Sequence, residues 1–119
     1  MQFDYIDRDE SLQFAFIRIP KALVDPDGYF RDLSNVSKML YGLLLDRMSA
    51  SMKNHWLDEQ NRAYIIYPIK EMADDLGVSP RKTSDYLAEL EKIGLVEKKH
   101  QGQGKPDMIY VKNFAVIER

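Results

Sequence analysis

The stretch Ile69-Lys70-Glu71-Met72-Ala73-Asp74-Asp75-Leu76-Gly77-Val78-Ser79-Pro80-Arg81-Lys82-Thr83, continued to Lys112, decides how this chain folds. Ile69, Met72, Ala73 and Leu76 fall at i, i+3, i+4 and i+7, one apolar stripe of a short amphipathic helix. Gly77 then supplies the left-handed backbone that lets a chain leave a helix abruptly. Val78 is placed to plug the turn from inside, and Ser79 offers a hydroxyl to cap a second helix. Pro80 stands at a first helical position, where its missing N–H costs nothing. From there Thr83, Leu87, Leu90 and Ile93 recur at helical spacing, and Gly94 ends the element. Residues 95–99, Leu-Val-Glu-Lys-Lys, read as a strand, and residues 108–111 as a second one after a glycine-rich loop.

Two short helices around a glycine are common in all-α domains, but the order found here is less so. The pattern A-x-x-L-G-V-S, a capped helix, L-x-x-I-G-L-V and a lysine-bearing hairpin resembles the winged helix-turn-helix superfamily. The fold expected is therefore α+β, mainly helical: a winged helix-turn-helix with a C-terminal β-hairpin wing and a short N-terminal strand. On the second helix Thr83, Leu87 and Leu90 point inward, which leaves Pro80, Arg81, Lys82, Ser84, Asp85 and Ala88 toward solvent or DNA. Arg81 suits a guanine edge, because a guanidinium donates two parallel bonds to O6 and N7. Ser79 and Ser84 reach phosphates or bases, and Lys82 suits a phosphate. The competing reading of this face is an ordinary charged, solvated one.

In the wing, Gly102 and Gly104 let the tip bend close to a nucleic-acid backbone. Lys98, Lys99, Gln101, Gln103 and Lys105 are its candidate contacts, with a cation on a narrow loop fitted to a minor groove or a phosphate. A plain hairpin loop is the alternative. The Gly102-Gln103-Gly104-Lys105 string lacks the Walker spacing, and Pro106 stands where a magnesium-binding Ser or Thr belongs, so it is not a phosphate-binding loop.

Composition sets bounds on everything else. The chain has 119 residues, 45% hydrophobic and 30% charged, which suits one compact domain. With no cysteine, neither a disulfide framework nor a thiolate metal site is available, which is neutral to mildly favourable for a cytoplasmic protein. The acidic N-terminus lacks the apolar core of a targeting signal, and no run approaches a membrane span. His55 and His100 are isolated from other ligands, Asp74 and Asp75 diverge on their helix, and no nucleophile motif accompanies any serine. No catalytic residue, metal or cofactor is expected. The net charge of −2 argues against strong bulk steering toward DNA. Residues 77–112 nevertheless carry seven Lys/Arg against five Asp/Glu, whereas residues 1–33 carry four against seven. A weakly basic head on an acidic body suits specific contacts, repeated sites or a dimer.

Residues 13–19 alternate Phe14, Phe16 and Arg18 with Ala15, Ile17 and Ile19 and read as a short strand with two apolar faces. Residues 20–23 fit a single helical turn, and Asp25-Pro26-Asp27-Gly28 a turn. A long helix is expected over residues 36–51, apolar on more than one stripe, so that Tyr41 and Leu45 fall off the main one. With Phe14 and Phe16 they are the candidates for a dimer surface. Residues 53–62 read as a polar loop whose Trp56 anchors back onto the domain, and residues 63–67 as a further strand.

Leu33-Ser34-Asn35, residues 38–47 (K-M-L-Y-G-L-L-L-D-R), residues 53–59 (K-N-H-W-L-D-E), Gly102-Gln103-Gly104-Lys105-Pro106 and residues 109–114 (I-Y-V-K-N-F) resemble the N-terminal domain of the RepA_N plasmid replication initiators. The likeness runs from about Phe14 to Phe114, and the first dozen residues take no part. It implies a homodimer that binds repeated sites (iterons) in double-stranded DNA of a plasmid origin, initiates replication and limits copy number. It also implies that host primase or other replication proteins are engaged through a separate C-terminal domain. The expected organisation is a polar arm at 1–13, a DNA-binding domain at 14–114 and, at 115–119, the start of a linker to that absent domain. No membrane partner is implied. A winged-helix transcription regulator and a winged-helix interaction scaffold of a replisome-loading protein remain the other readings.

Overall fold

A computed structural model describes residues 2–7, 14–53 and 56–115. Along the chain lie helices α1 (Lys21–Val24), α2 (Asn35–Lys53), α3 (Ile69–Leu76) and α4 (Pro80–Ile93), then strands β1 (Val96–Lys99) and β2 (Met108–Val111). The strands pair antiparallel, with Val96 opposite Val111 and Lys99 opposite Met108.

Three of the four helix boundaries of the α3–α4 unit have a local cause, whereas α3 starts after Pro68 with no side-chain cap. Gly77 ends α3 at φ 70° and donates its N–H to the Ala73 carbonyl. Ser79 caps α4 by accepting the Lys82 N–H on its side chain, with Pro80 at the first turn. Such a cap stabilises by about 1 kcal/mol. Gly94 ends α4 at φ 92°, and the chain passes directly into β1. Thr83, Leu87 and Leu90 are buried. The two leucines meet Leu40 and Leu44 of α2, Met72 of α3 and Ile109 of β2 in one core. The exposed and buried faces of α4 are thus those its periodicity predicts.

Helix α2 is the centre of the molecule. Ser34 caps it by accepting the Ser37 N–H, and a second lock ties it to α4. There Glu89 accepts the Ser34 backbone N–H at 3.0 Å and lies 3.1 Å from its hydroxyl. Ser37 is fully buried and donates to the Tyr86 carbonyl. Burial on several sides corrects the reading of Tyr41 as a dimer contact. Its side chain is fully buried, and its hydroxyl donates to the Lys112 carbonyl at 2.6 Å. Burial pushes that hydroxyl's pKa up to about 12, against a smaller opposing effect of the Phe114 backbone. A tyrosine off the main stripe entered the core because its one polar atom found a partner there.

Three other expectations are also revised. Residues 14–19 form no strand, since no pairing partner reaches them among the described residues; Gln13 lies outside those residues. The segment instead lies on α2 where the helix has Gly42. A Cβ on Gly42 would stand 3.0 Å from the Arg18 carbonyl oxygen and 3.1 Å from Ile19. The strand expected at 63–67 shrinks to single bridges, Ala63 with Leu57 and Ile65 with Ile109. The Tyr64 N–H goes to the Trp56 carbonyl and so is withheld from a longer ladder. Trp56 itself is 39% exposed and is no core anchor.

Candidate nucleic-acid interface

The outward face of α4 is built by its inward one. Because Thr83, Leu87 and Leu90 face the core, the helix turns Pro80, Arg81, Lys82, Ser84, Asp85 and Ala88 outward, and all six are exposed. Ser79 is also exposed, but its side chain is committed to the Lys82 N–H at 3.2 Å. Its backbone carbonyl accepts the buried Thr83 hydroxyl, which fixes the start of the helix.

The wing stands beside this helix. A groove of about 290 Å³ runs between them, with Leu87, Ile69, Tyr67 and Ile109 among its walls and Lys98, Lys105 and Asp107 at its polar margin. At the tip, Gly102 (φ 113°) and Gly104 (φ 78°) take the conformation that L side chains avoid. The Gln101 side-chain amide donates to the Pro106 carbonyl at 2.9 Å and closes the tip. His100 Nδ1 and Asp107 Oδ1 meet at 2.6 Å across its base. Gln103 and Lys105 remain exposed.

Charge separates the candidate contacts into two kinds. Arg81, Lys82, Lys99 and Lys105 have no acidic partner among the described residues. Lys98 instead reaches Glu91 of α4 at 3.3 Å, so one expected contact already has a counter-ion within the protein. Both side chains are about one-third exposed. Such a pair contributes at most about 1 kcal/mol and weakens with salt. Lys112, just past β2, pairs similarly with Glu97 of β1.

Behind the wing lies a cluster that a reading of 53–62 as a polar loop passed over. Asp58 accepts the N–H groups of Gln60 and Arg62 on Oδ1, and Arg62 Nε at 2.9 Å and the Tyr110 hydroxyl at 2.8 Å on Oδ2. These donors, the Arg62 N–H foremost, hold the Asp58 carboxyl well below the usual carboxylate range. The available signal was the i, i+4 spacing of Asp58 and Arg62 with Asn61 between them, a turn sequence that Asn61 completes at φ 61°. A related cluster braces α3. Arg47 stacks 4.0 Å over the Tyr67 ring, whose hydroxyl donates to Asp75.

The proposed dimer residues are only partly gathered. Phe14 and Phe16 are 45% and 65% exposed, with their rings edge-to-face at 6.0 Å. Leu45 is half-buried and lines a shallow groove with Phe16, Arg18 and Gly42, whereas Tyr41 lies in the core.

A three-helix core, a tight α3–α4 turn and a two-stranded wing packed against α4 define a winged helix-turn-helix. Residues 15–119 match the family model for the replication initiator protein A (RepA) N-terminus, and the chain belongs to that family, RepA_N. A "41 kDa protein" of Lactobacillus helveticus is 32% identical over 102 residues, which span 81% of this chain and 29% of that protein. The chain thus spans less than a third of that relative's length. Among solved structures, the N-terminal domain of a DNA binding protein superposes with a TM-score of 0.77 at 30% identity, covering 99% of this chain and 89% of the other. A Rep–DNA complex gives 0.77 at 30% identity, with 97% and 88% covered. An MDR initiator gives 0.73 at 27% identity, with 97% and 90% covered.

Proposed function

We propose that this chain binds double-stranded DNA sequence-specifically at repeated sites of a plasmid replication origin, as the DNA-binding part of a replication initiator. One observation carries the reading: a capped helix with an exposed polar face stands beside a glycine-tipped wing, and Arg81, Lys82, Lys99 and Lys105 lack acidic partners among the described residues. Likeness to a Rep protein solved with DNA supports it.

In this reading Arg81 takes a guanine edge in the major groove, with Ser84, Asp85 and Ala88 lying along the bases. Ser79 meets the flanking backbone through its main-chain N–H and Lys82 through its ammonium, while the Pro80 ring packs against the same strand. Lys99, Gln103 and Lys105 address backbone or minor groove. Gln101 shapes the tip that presents them, and Lys98 joins only after exchanging Glu91 for a phosphate. Two copies associate through Phe14, Phe16 and Leu45, so that paired heads offset the modest charge of each. Initiation, copy control and contact with host primase belong to a longer initiator, consistent with the greater length of the Lactobacillus relative.

Selection from random duplexes, followed by titration of the enriched site at several salt concentrations, tests this directly. Preference over a scrambled duplex is expected, with log K falling against log salt by about 0.9 for each neutralised phosphate. Equal binding to both duplexes, or none to either, would overturn the reading. Sedimentation at micromolar concentration tests the dimer, which a monomeric mass would refute.

A further inference from the structure

The wing has too little sheet to hold itself in place. Its ladder is four residue pairs long, and a two-stranded hairpin of that kind is marginal in water. A third strand would add rigidity, but here it is reduced to the Ile65–Ile109 bridge, both of whose hydrogen bonds measure 2.9 Å. The next residue along β2, Tyr110, is where the Asp58 carboxylate attaches. Asp58 is in turn fixed by two backbone N–H groups of its own turn and by Arg62, whose guanidinium lies 5.0 Å from the Tyr110 ring centre. Tyr64 adds an edge-to-face contact to the same ring at 6.4 Å. Bonds to a charged acceptor are the stronger kind, and Tyr110 is 7% exposed, which shields the contact from water.

We infer that Asp58, Arg62 and Tyr110 are positioning residues for DNA binding: the 57–64 loop is a strut that fixes β2, and through it sets where the wing cations stand relative to α4. The inference rests on the DNA-binding reading above. A cation on a loosely held hairpin gives up much of its contact energy in being ordered, whereas a prepositioned one does not. The strut therefore acts through the wing and leaves the reading face of α4 unaffected.

The test uses Tyr110→Phe, which removes one hydroxyl and keeps the ring in the core. In the free protein, amide hydrogen exchange of the wing strands speeds by about tenfold while α4 is unchanged, as local opening without global unfolding predicts. Unchanged wing exchange overturns the inference whether or not DNA binds. With the selected duplex, Lys105→Ala weakens binding about fivefold in the native background and less than about twofold in Tyr110→Phe, while Arg81→Ala keeps its full effect in both. A Lys105→Ala effect undiminished by Tyr110→Phe overturns the strut, as does an Arg81→Ala effect that shrinks in parallel. If the native chain shows no sequence preference, the DNA reading fails, and the exchange measurement still decides whether the strut holds the wing. Asp58→Asn, which leaves the turn-capping oxygen in place, is expected to repeat the Tyr110→Phe exchange pattern.

Discussion

The reading head, α3 through β2, and the N-terminal face, residues 14–19 on α2, are ordered by different kinds of constraint. In the head three of the four helix boundaries are written where they occur. Gly77 and Gly94 adopt positive φ, Ser79 caps and Pro80 starts the helix, so hydrogen bonds lost at these three ends are replaced within a few residues. The N-terminal face has a pattern but no such closure. Alternating Phe14, Phe16 and Arg18 fits a strand, yet a strand exists only through pairing, and no partner arrives among the described residues. Periodicity is therefore sufficient where hydrogen bonding is local and insufficient where it must be supplied by another segment.

The head depends most on its core at the seam between α4 and the groove. Leu87 is 1% exposed and faces both the core and the wing side of that groove. Leu87→Ala is expected to cost about 2–5 kcal/mol of stability, measured by denaturant unfolding. A loss well under 1 kcal/mol would mean that α4 is held by its caps and not by its buried face. Next in size comes the opposite face of the same helix. Arg81→Ala is expected to leave stability unchanged, to cost roughly 1–3 kcal/mol on the selected duplex, and to relax preference at one base position. Affinity and preference both intact would remove Arg81 from the reading face.

Legibility in the sequence divides in the same way. The bounds of α3, α4 and β2, and the six outward residues of α4, are read directly from spacing and punctuation. Tyr41 is not, because its burial depends on the Lys112 carbonyl, 71 positions away in sequence. The pairing of Lys98 with Glu91 escapes for a related reason: a hairpin lysine looks available until the fold brings a helix carboxylate to it. The Asp58 cluster lies between these cases. Its turn is local and readable, whereas its bond to Tyr110 spans 52 positions and depends on tertiary structure. Contacts closed within a turn are visible in sequence; those closed across the core need the structure.

At Gly42 the N-terminal face is as constrained as any turn of the head. The residue sits within α2, where glycine is about 1 kcal/mol less favourable than alanine, so propensity alone predicts that Gly42→Ala stabilises. Packing predicts the reverse. The added methyl would press on the Arg18 backbone oxygen, which cannot rotate away as a side chain would. A net loss of about 1–2 kcal/mol in denaturant unfolding is expected, with the shift confined to residues 14–19 and their α2 neighbours. A gain in stability would show that the N-terminal segment yields freely and that α2 does not need it.

The smallest expected effect separates the two halves of the reading head itself. Lys105 is exposed, has no acidic partner among the described residues and stands on a glycine-flanked tip, so in the proposed reading it addresses charge and not sequence. Lys105→Ala is expected to weaken all duplexes alike, by about 0.5–1 kcal/mol at moderate salt, and to flatten the slope of log K against log salt by about 0.9 per protomer. In that reading Arg81→Ala relaxes the preference among duplexes, whereas Lys105→Ala is expected to lower only how strongly any duplex is held. If the salt slope stays at its native value, the wing tip does not neutralise a phosphate. The cation that does so must then be sought on the wing strands, first at Lys99, and at Lys98 once its bond to Glu91 is broken.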